Sequence, residues 1–270
     1  MTGFVAMPGS TGPWSGGTFD GAQCVLAGNP GPMTLDGTNT WLLEADADSV
    51  VLVDPGPDDP AHLAAVQGAL RGRRVHQIVL THGHLDHSAG AGLFKQTFGA
   101  QVRALDPQPG QERLVPGEVV VAGDLEVHIV ATPGHTSDSV SLHLPQRAAV
   151  LTGDTILGRG TTVVAHPDGR LADYLASLQL LQELVEAAGA TQVWPGHGPA
   201  LPDAAAVLDA YLAHRNERLE EVRAAVAELA EPTPRAVVER VYADVPRILW
   251  PAAELSVRAQ LEYLGLHPDR

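Results

Sequence analysis

Short apolar runs alternate with amphipathic stretches over roughly the first 200 residues. The runs have strand length, are rich in Val, Leu and Ile, and mostly end near Gly, Pro, Asp or Thr, which predicts β-strands. Gly123-Asp124 separates two of them and is typical of a hairpin turn. The strands are predicted at Ala22–Ala27, Thr40–Glu44, Val50–Val53, Val75–Leu80, Glu118–Val121, Leu125–Ala131, Ser139–Leu144, Ala148–Leu151 and in a last run ending at Val193-Trp194.

Stretches with the periodicity of an amphipathic helix lie between these runs, and only such stretches are found after residue 200. The predicted helices are Pro60–Leu70, Ala89–Phe98, Leu171–Ala188, Asp203–Glu231, Pro234–Tyr242 and Ala252–Leu264. Alternation of strands and helices is typical of an α/β domain. We therefore expect three regions: a flexible tail rich in Gly, Pro, Ser and Thr over 1–20, an α/β domain over 21–200, and a helical C-terminal domain over 201–270.

Composition narrows the functional classes. The single cysteine, Cys24, excludes an internal disulfide and a cysteine-rich zinc site. No apolar run is long enough to cross a membrane, and the first residues lack a basic start and an apolar stretch, so we expect a cytoplasmic protein with no membrane partner. The net charge of −15 argues against neutralisation of nucleic-acid phosphates by a basic surface, and duplex DNA is not an expected partner.

Three imidazoles and one carboxylate lie within six residues, directly after a predicted buried strand. The side chains of residues two apart on an extended chain point to the same side, so His82 and His84 can bind one ion. The turn that follows can aim Asp86 and His87 at a neighbouring point. Neutral imidazole and carboxylate suit Zn²⁺, with iron or manganese as the alternatives.

Three further polar residues also follow predicted strands. His135 lies in Thr132-Pro-Gly-His-Thr136, Asp154 follows Gly153, and His197 lies in Pro195-Gly-His-Gly198. Ligands collect at the carboxyl ends of strands in α/β folds, so these loops and the histidine cluster are expected to meet.

These motifs, in this order, resemble the metallo-β-lactamase superfamily. The resemblance implies a four-layer αβ/βα sandwich with a dinuclear metal site, and it covers residues from about 20 to 200. It assigns His82, His84 and His135 to a first metal and Asp86, His87 and His197 to a second, with Asp154 bridging the two. Two such ions would share and activate a bridging hydroxide, and Asp86 is the candidate catalytic residue that orients it.

Further segments resemble the beta-lactamase-like protein 2 branch: residues 29–39, residues 153–162 and His214-Arg-Asn-Glu217. That branch includes a single-strand-specific endoribonuclease and carries a small winged-helix-like segment after its catalytic domain. Here the segment is predicted to be helical, without the strand pair of a wing. Candidate substrate-binding residues are Asn39, Thr161, Thr162 and His214.

The resemblance leaves several activities open. Single-stranded RNA is the leading substrate, and the alternative is a thioester, as in glyoxalase II-like enzymes and acyl-carrier thioesterases. A β-lactam, a mononuclear-iron persulfide dioxygenase and a metal-holding interaction module rank lower. Residues 200–270 contain twelve Asp and Glu against eight Arg, which favours an interaction surface, such as that of a homodimer, over a nucleic-acid reader.

Overall fold

A computed structural model describes residues 12–266 of the chain. Within them, twelve strands form two mixed sheets. The first sheet runs in chain order from β1 to β7, antiparallel up to β4 and parallel from β4 to β7. Its strands are β1 (Gly17–Phe19), β2 (Ala22–Leu26), β3 (Asn39–Asp46), β4 (Ser49–Val53), β5 (Arg74–Val79), β6 (Gln101–Ala104) and β7 (Glu112–Arg113).

The second sheet has the order β12-β11-β10-β9-β8. It is antiparallel except for β12, which runs parallel to β11 and is reached through a long helix. The hairpin predicted at Gly123-Asp124 is confirmed, because Ala122 pairs with Leu125 across it. The strands are β8 (Val119–Ala122), β9 (Leu125–Ala131), β10 (Val140–Leu144), β11 (Ala149–Gly153) and β12 (Gln192–Pro195).

Seven helices flank the sheets or follow them in the described part of the chain. Two 3₁₀ turns, Pro145–Arg147 and Arg247–Leu249, join neighbouring elements. No described helix is both long enough and apolar enough to span a bilayer. The helices are α1 (Pro60–Leu70), α2 (Leu85–Ser88), α3 (Ala91–Phe98), α4 (Leu171–Ala188), α5 (Ala204–Glu228), α6 (Pro234–Val241) and α7 (Trp250–Tyr263).

The two sheets pack face to face over an apolar core. Trp41 of β3 and Trp194 of β12 stack at its centre, with ring centroids 5.0 Å apart. Helices α1 and α3 cover the outer face of the first sheet, and α4 and α5 cover that of the second. The four layers are thus helix, sheet, sheet and helix, which confirms the predicted αβ/βα sandwich.

The C-terminal segment builds a small core of its own. Helix α5 packs along α4, and its last turns join α6 and α7 around Val222, Val237, Trp250 and Val257. No strand occurs among residues 202–266, in agreement with the missing wing. The segment is therefore a helical appendage docked on the second sheet's helices.

Some local predictions were wrong. Residues 17–19, placed in the flexible tail, form β1 and pair with β2, while residues 1–11 of that tail lie outside the described part. The helix predicted at Ala89–Phe98 begins instead at Ala91, after the short helix α2. Gly90 separates the two, and a Cβ there would lie 2.8 Å from the Pro57 carbonyl oxygen. Strands β6 and β7 were not predicted at all.

Candidate metal centre

The seven residues predicted as ligands converge at one end of the sandwich. Five of them lie just beyond the carboxyl end of a strand: His82 and His84 after β5, His135 after β9, Asp154 after β11 and His197 after β12. Asp86 and His87 are carried by α2, which begins directly after His84. Within the second sheet, Gly153 at the end of β11 is paired with Pro195 at the end of β12, so Asp154 and the loop to His197 start side by side.

One cluster joins three imidazoles from the two sheets. His84 Nδ1 lies 3.1 Å from His82 Nε2 and 3.1 Å from His135 Nε2. His82 and His135 are buried, whereas His84 is exposed. These three nitrogens face one point, as the ligand atoms of a single ion would.

A second cluster lies beside the first. His197 Nε2 is 3.2 Å from His87 Nε2 and 3.1 Å from Asp86 Oδ2. Both imidazoles are fully buried, and the Asp86 side chain is partly open to solvent. The grouping of these three side chains matches the second set predicted by the family resemblance.

Asp154 lies between the clusters. Its Oδ1 is 3.4 Å from His87 Nε2, and its Oδ2 is 3.4 Å from His197 Nε2 and 3.8 Å from His135 Nε2. Asp154 Oδ1 is buried and has no hydrogen-bond partner. A buried carboxylate oxygen without a donor needs a compensating cation, so the geometry suits a bridging ligand.

The outer nitrogens of four imidazoles are fixed by hydrogen bonds. Where the partner can only accept a hydrogen bond, the outer nitrogen, which faces away from the clusters, must carry the proton. The inner nitrogen of the same ring then has a free lone pair directed into the site. Inner nitrogens as close as 3.2 Å therefore need a proton or a cation between them. The partners are the Thr81 hydroxyl for His82, Asp54 Oδ2 for His87, the Val163 carbonyl for His135 and the Gly37 carbonyl for His197.

Asp54 is a functional residue that the sequence analysis missed. Its carboxylate accepts from the Thr81 amide at 2.8 Å, from the Thr81 hydroxyl at 2.7 Å and from His87 Nδ1 at 2.8 Å. It is 1% exposed and has a φ of 52°, a conformation that non-glycine residues seldom adopt. In the sequence, only a single Asp after strand β4, in Val53-Asp-Pro-Gly56, indicates this role, and the same residues are typical of an ordinary turn.

Charge and burial pull the pKa values of the clustered groups in different directions. Burial lowers the pKa of His82 and of His135. Burial also disfavours the charged forms of His87 and His197, but the Asp154 carboxylate outweighs it, raising the pKa of His87 well above its usual value and that of His197 to about 9. Burial would raise the pKa of Asp154, yet those two imidazoles hold it well below its usual range. The second cluster thus attracts positive charge.

A cavity of about 350 Å³ opens beside Asp154 and His135. It lies between the catalytic sandwich and the connection from α6 to α7. The predicted substrate residues Thr161, Thr162 and His214 line it. The remaining wall is largely apolar and is formed by residues that include Pro32, Met33, Leu35, Leu157, Val163, Tyr242, Val245, Pro246, Leu249, Ala252 and Ala253.

Asn39, the fourth predicted substrate residue, has a different position. It is fully buried and does not line the cavity. Its amide group donates to the carbonyls of Pro195 at 2.9 Å and Gly198 at 2.8 Å, and its Oδ1 accepts from Trp14 Nε1. These contacts use its side chain to hold the loop that carries His197, and its part in substrate binding stays a prediction.

The layered fold and the His/Asp clusters at its rim define a metal-dependent hydrolase. The chain belongs to the metallo-β-lactamase superfamily, which its residues 33–108 and 102–197 match. Residues 233–265 match the β-lactamase associated winged helix domain. The clusters are compatible with a divalent metal site.

Two named relatives cover different shares of the chain. A beta-lactamase-like protein 2 homolog from Caenorhabditis elegans is 36% identical over 257 residues, which cover 91% of this chain and 84% of the relative. The atrochrysone carboxyl ACP thioesterase of Aspergillus fumigatus is 37% identical over 184 residues, covering 66% of this chain and 56% of that enzyme. The resemblance to the beta-lactamase-like protein 2 branch is confirmed.

Solved structures share the fold over nearly the whole chain. A beta-lactamase domain protein from Burkholderia ambifaria superposes with a TM-score of 0.81 at 23% identity, covering 94% of this chain and 89% of that one. A metallo-beta-lactamase family protein from Thermus thermophilus gives a TM-score of 0.75 at 21% identity, with 92% and 94% covered. At these identities the likeness concerns the fold alone.

Proposed function

We propose that this protein is a dinuclear zinc hydrolase that cleaves thioesters of apolar acyl groups. The observation that carries the choice of substrate is the cavity beside Asp154 and His135, whose wall is largely apolar. Pockets of a few hundred Å³ with such a lining suit a small organic group.

Seven side chains would hold the metal ions. His82, His84 and His135 form one ligand set, Asp86, His87 and His197 form the other, and Asp154 contributes to both, since its two oxygens face both clusters. When bound, divalent metal ions supply the Lewis acidity that activates a water molecule and stabilises the developing oxyanion. Zinc suits this set of imidazole and carboxylate donors best, and iron and manganese are the alternatives.

The role of Asp86 follows from its charge and exposure. Burial would raise its pKa, but the hydrogen bond with His197 lowers it below the usual value. The carboxylate therefore stays ionised at neutral pH and accepts a hydrogen bond from the attacking water, which it orients. The water oxygen adds to the acyl carbon, the carbon–sulfur bond breaks, and the products are a carboxylate, a thiol and one proton released to solvent.

The two arginines that line the cavity are already bonded to protein groups, which makes the cavity a poor binding site for a polyanion. Arg159 on its wall is paired with Asp36, and Arg215 donates to the Thr162 carbonyl. Arginines already engaged with protein groups are less available to phosphates, and the net charge of −15 adds general repulsion. Apolar contacts instead favour an alkyl or aromatic acyl group over a ribonucleotide chain.

Cleavage of single-stranded RNA is the second candidate. It is favoured by the 36% identity to a beta-lactamase-like protein 2 homolog over 91% of the chain, because the resemblance to that branch implies an endoribonuclease. A two-metal site can activate water against phosphorus as well as against carbon. The exposed edge at His84 gives such a chain access to the clusters.

The test compares substrates on zinc-loaded protein. Acetyl-, decanoyl- and benzoyl-coenzyme A are followed by thiol release, and end-labelled single-stranded RNA by gel electrophoresis, each with and without chelator. We expect turnover of the decanoyl or benzoyl thioester that a chelator and His84→Ala abolish. His128→Ala, a change at a histidine outside the clusters, should keep it. RNA cleavage without thioester turnover would establish the second candidate and overturn the first.

A further inference from the structure

One face of helix α5 is directed at the loop that supports the candidate ligands. Tyr211 and Arg215 are four residues apart, so they lie on the same side of the helix. Both are buried, with 1% and 6% exposed. Helix α5 falls between the two family matches, which end at residue 197 and begin at residue 233. Neither match gives this helix a role.

Both side chains hold the backbone of residues 157–163. The Tyr211 hydroxyl accepts from the Leu157 amide at 2.8 Å and lies 3.1 Å from the Gly160 carbonyl oxygen, to which it donates. The Arg215 guanidinium donates from Nη2 to the Thr162 carbonyl and lies over the Tyr174 ring, 4.8 Å from its centroid. The loop is thereby attached to the helix at both of its ends.

The same loop contacts two of the proposed metal ligands. The Thr162 hydroxyl donates to the backbone carbonyl of Asp154, and the Val163 carbonyl accepts from His135 Nδ1 at 2.8 Å. Arg215 is bonded to Thr162 itself, one peptide unit away from the Val163 carbonyl. A shift of this peptide would turn the His135 ring and move the carboxylate of Asp154.

We propose that Arg215 is a positioning residue of the metal centre, acting through Thr162 and Val163 on His135 and Asp154. The proposal depends on the metal ligation set out under the proposed function. Partners of metal ligands set the orientation of the ligands, and their loss typically weakens metal affinity about 10–100-fold. Arg215 acts one step further out, so we expect a loss of about tenfold in zinc affinity when its side chain is removed.

The same helix offers a matched control one turn further on. Arg218 donates to the Val241 carbonyl at 2.7 Å and lies over the Tyr242 ring, 4.5 Å from its centroid. It therefore makes the same two kinds of contact as Arg215, but to the end of α6 rather than to the loop at the candidate metal centre, and it also forms an ion pair with Glu221 of its own helix. Arg218→Met removes a comparable amount of structure without touching residues 157–163.

The experiment measures zinc per chain and zinc affinity by competition with a chromophoric chelator. Thermal unfolding of the metal-free proteins is measured in parallel. We expect Arg215→Met to weaken zinc binding about tenfold and Arg218→Met to change it less than threefold, although both lower the metal-free Tm. Arg215→Lys should recover part of the affinity, because it keeps one donor but not the planar fork.

Thr162→Val tests the same link with little risk to folding, since it removes one hydroxyl and conserves the side-chain shape. We expect it to weaken zinc binding in the same direction. Unchanged affinity in both Arg215→Met and Thr162→Val, with two zinc ions bound by the wild type, would overturn the positioning role alone. Failure of the wild-type protein to bind zinc at all would instead overturn the proposed function.

Discussion

At the scale of single residues, Asp54 is the buried side chain that supports both clusters of the candidate metal centre. Its carboxylate joins the strand end at Thr81 to the imidazole of His87, and so connects both clusters without facing them. A carboxylate that accepts a hydrogen bond from the outer nitrogen of a histidine fixes the ring and makes that histidine a stronger metal ligand. Its unusual backbone conformation is consistent with a position fixed by function.

Asp54→Asn keeps the shape of this side chain and removes its charge. We expect zinc affinity to fall about 10–100-fold, because His87 loses its charged partner and the Thr81 contacts must rearrange. Competition with a chromophoric chelator gives the affinity. Asp46→Asn, at an exposed carboxylate, is the control. Equal affinities for the Asp54 variant and the wild type would show that Asp54 is only a packing residue.

His214 gives a pH-dependent prediction outside the metal ligands. Burial, helped by Arg215 and Arg218, lowers its pKa to about 4, against about 6.5 in the unfolded chain. Between pH 6.5 and 4 the unfolded chain therefore binds a proton that the native fold does not, and the histidine costs stability as the pH falls through this window. It has no such effect above pH 7.

His214→Gln removes this titration. We expect the free energy of unfolding of the variant, relative to wild type, to rise steadily as the pH is lowered from 7 to 4.5. Urea unfolding at several pH values measures the difference. His76→Gln, at an exposed histidine of β5, controls for the loss of an imidazole. A difference that stays constant across the range would contradict the burial of His214.

At the scale of elements, the strands that deliver ligands were the most predictable part of the chain. Strands β5, β9 and β11 combine five to seven residues with recurring Val, Ile or Leu, and a proposed ligand follows within four residues of the end of each strand. Strands β6 and β7 were missed because they have four and two residues and carry charged positions. β6 pairs with β5, and β7 pairs with β6, so both strands depend on neighbours that are distant in sequence and that a short stretch of sequence does not reveal.

Contacts between distant segments were also beyond the sequence. Asn39 lies in a motif of the family resemblance, yet its amide is used by a loop more than 150 residues away. Two of the groups that bind the outer nitrogens of the imidazoles are the backbone carbonyls of Gly37 and Val163. Every residue has a backbone carbonyl, so the sequence does not indicate which ones make these bonds. The metal ligands could be predicted because their side chains are of the types that bind metals. The groups that hold those ligands in place could not, because here they are backbone groups positioned by the fold.

The connection from α6 to α7 and the first turns of α7 form the outer wall of the cavity, so they should select the acyl group. Ala252 lines the cavity, and Ala252→Trp would fill part of it. We expect kcat/KM for decanoyl-coenzyme A to drop at least about tenfold and that for acetyl-coenzyme A to change little, because only the long chain needs the lost space. Ala243→Trp, at an exposed site that does not line the cavity, is the control. An equal loss for both substrates would place the acyl group elsewhere.

At the scale of the whole molecule, the candidate metal centre joins the two halves of the sandwich. His82, His84, Asp86 and His87 follow β5 of the first sheet, whereas His135, Asp154 and His197 follow strands of the second. Each cluster contains ligands from both sheets. Bound metal ions would therefore act as cross-links between the layers, in a chain whose single cysteine cannot form an internal one.

Zinc should accordingly stabilise the whole domain. A ligand that binds only the native state adds about 4 kcal/mol when its free concentration is 1,000 times Kd, which moves the Tm of a chain of this size by roughly 10 °C. We expect a rise of this order in calorimetry when zinc is added to chelator-treated protein, with one cooperative transition before and after. His84→Ala should lose most of the rise, because its cluster is incomplete, while His128→Ala should keep it. A zinc-induced shift of equal size in both variants would mean that the metal binds outside the clusters and that the two sheets are held together by their apolar core alone.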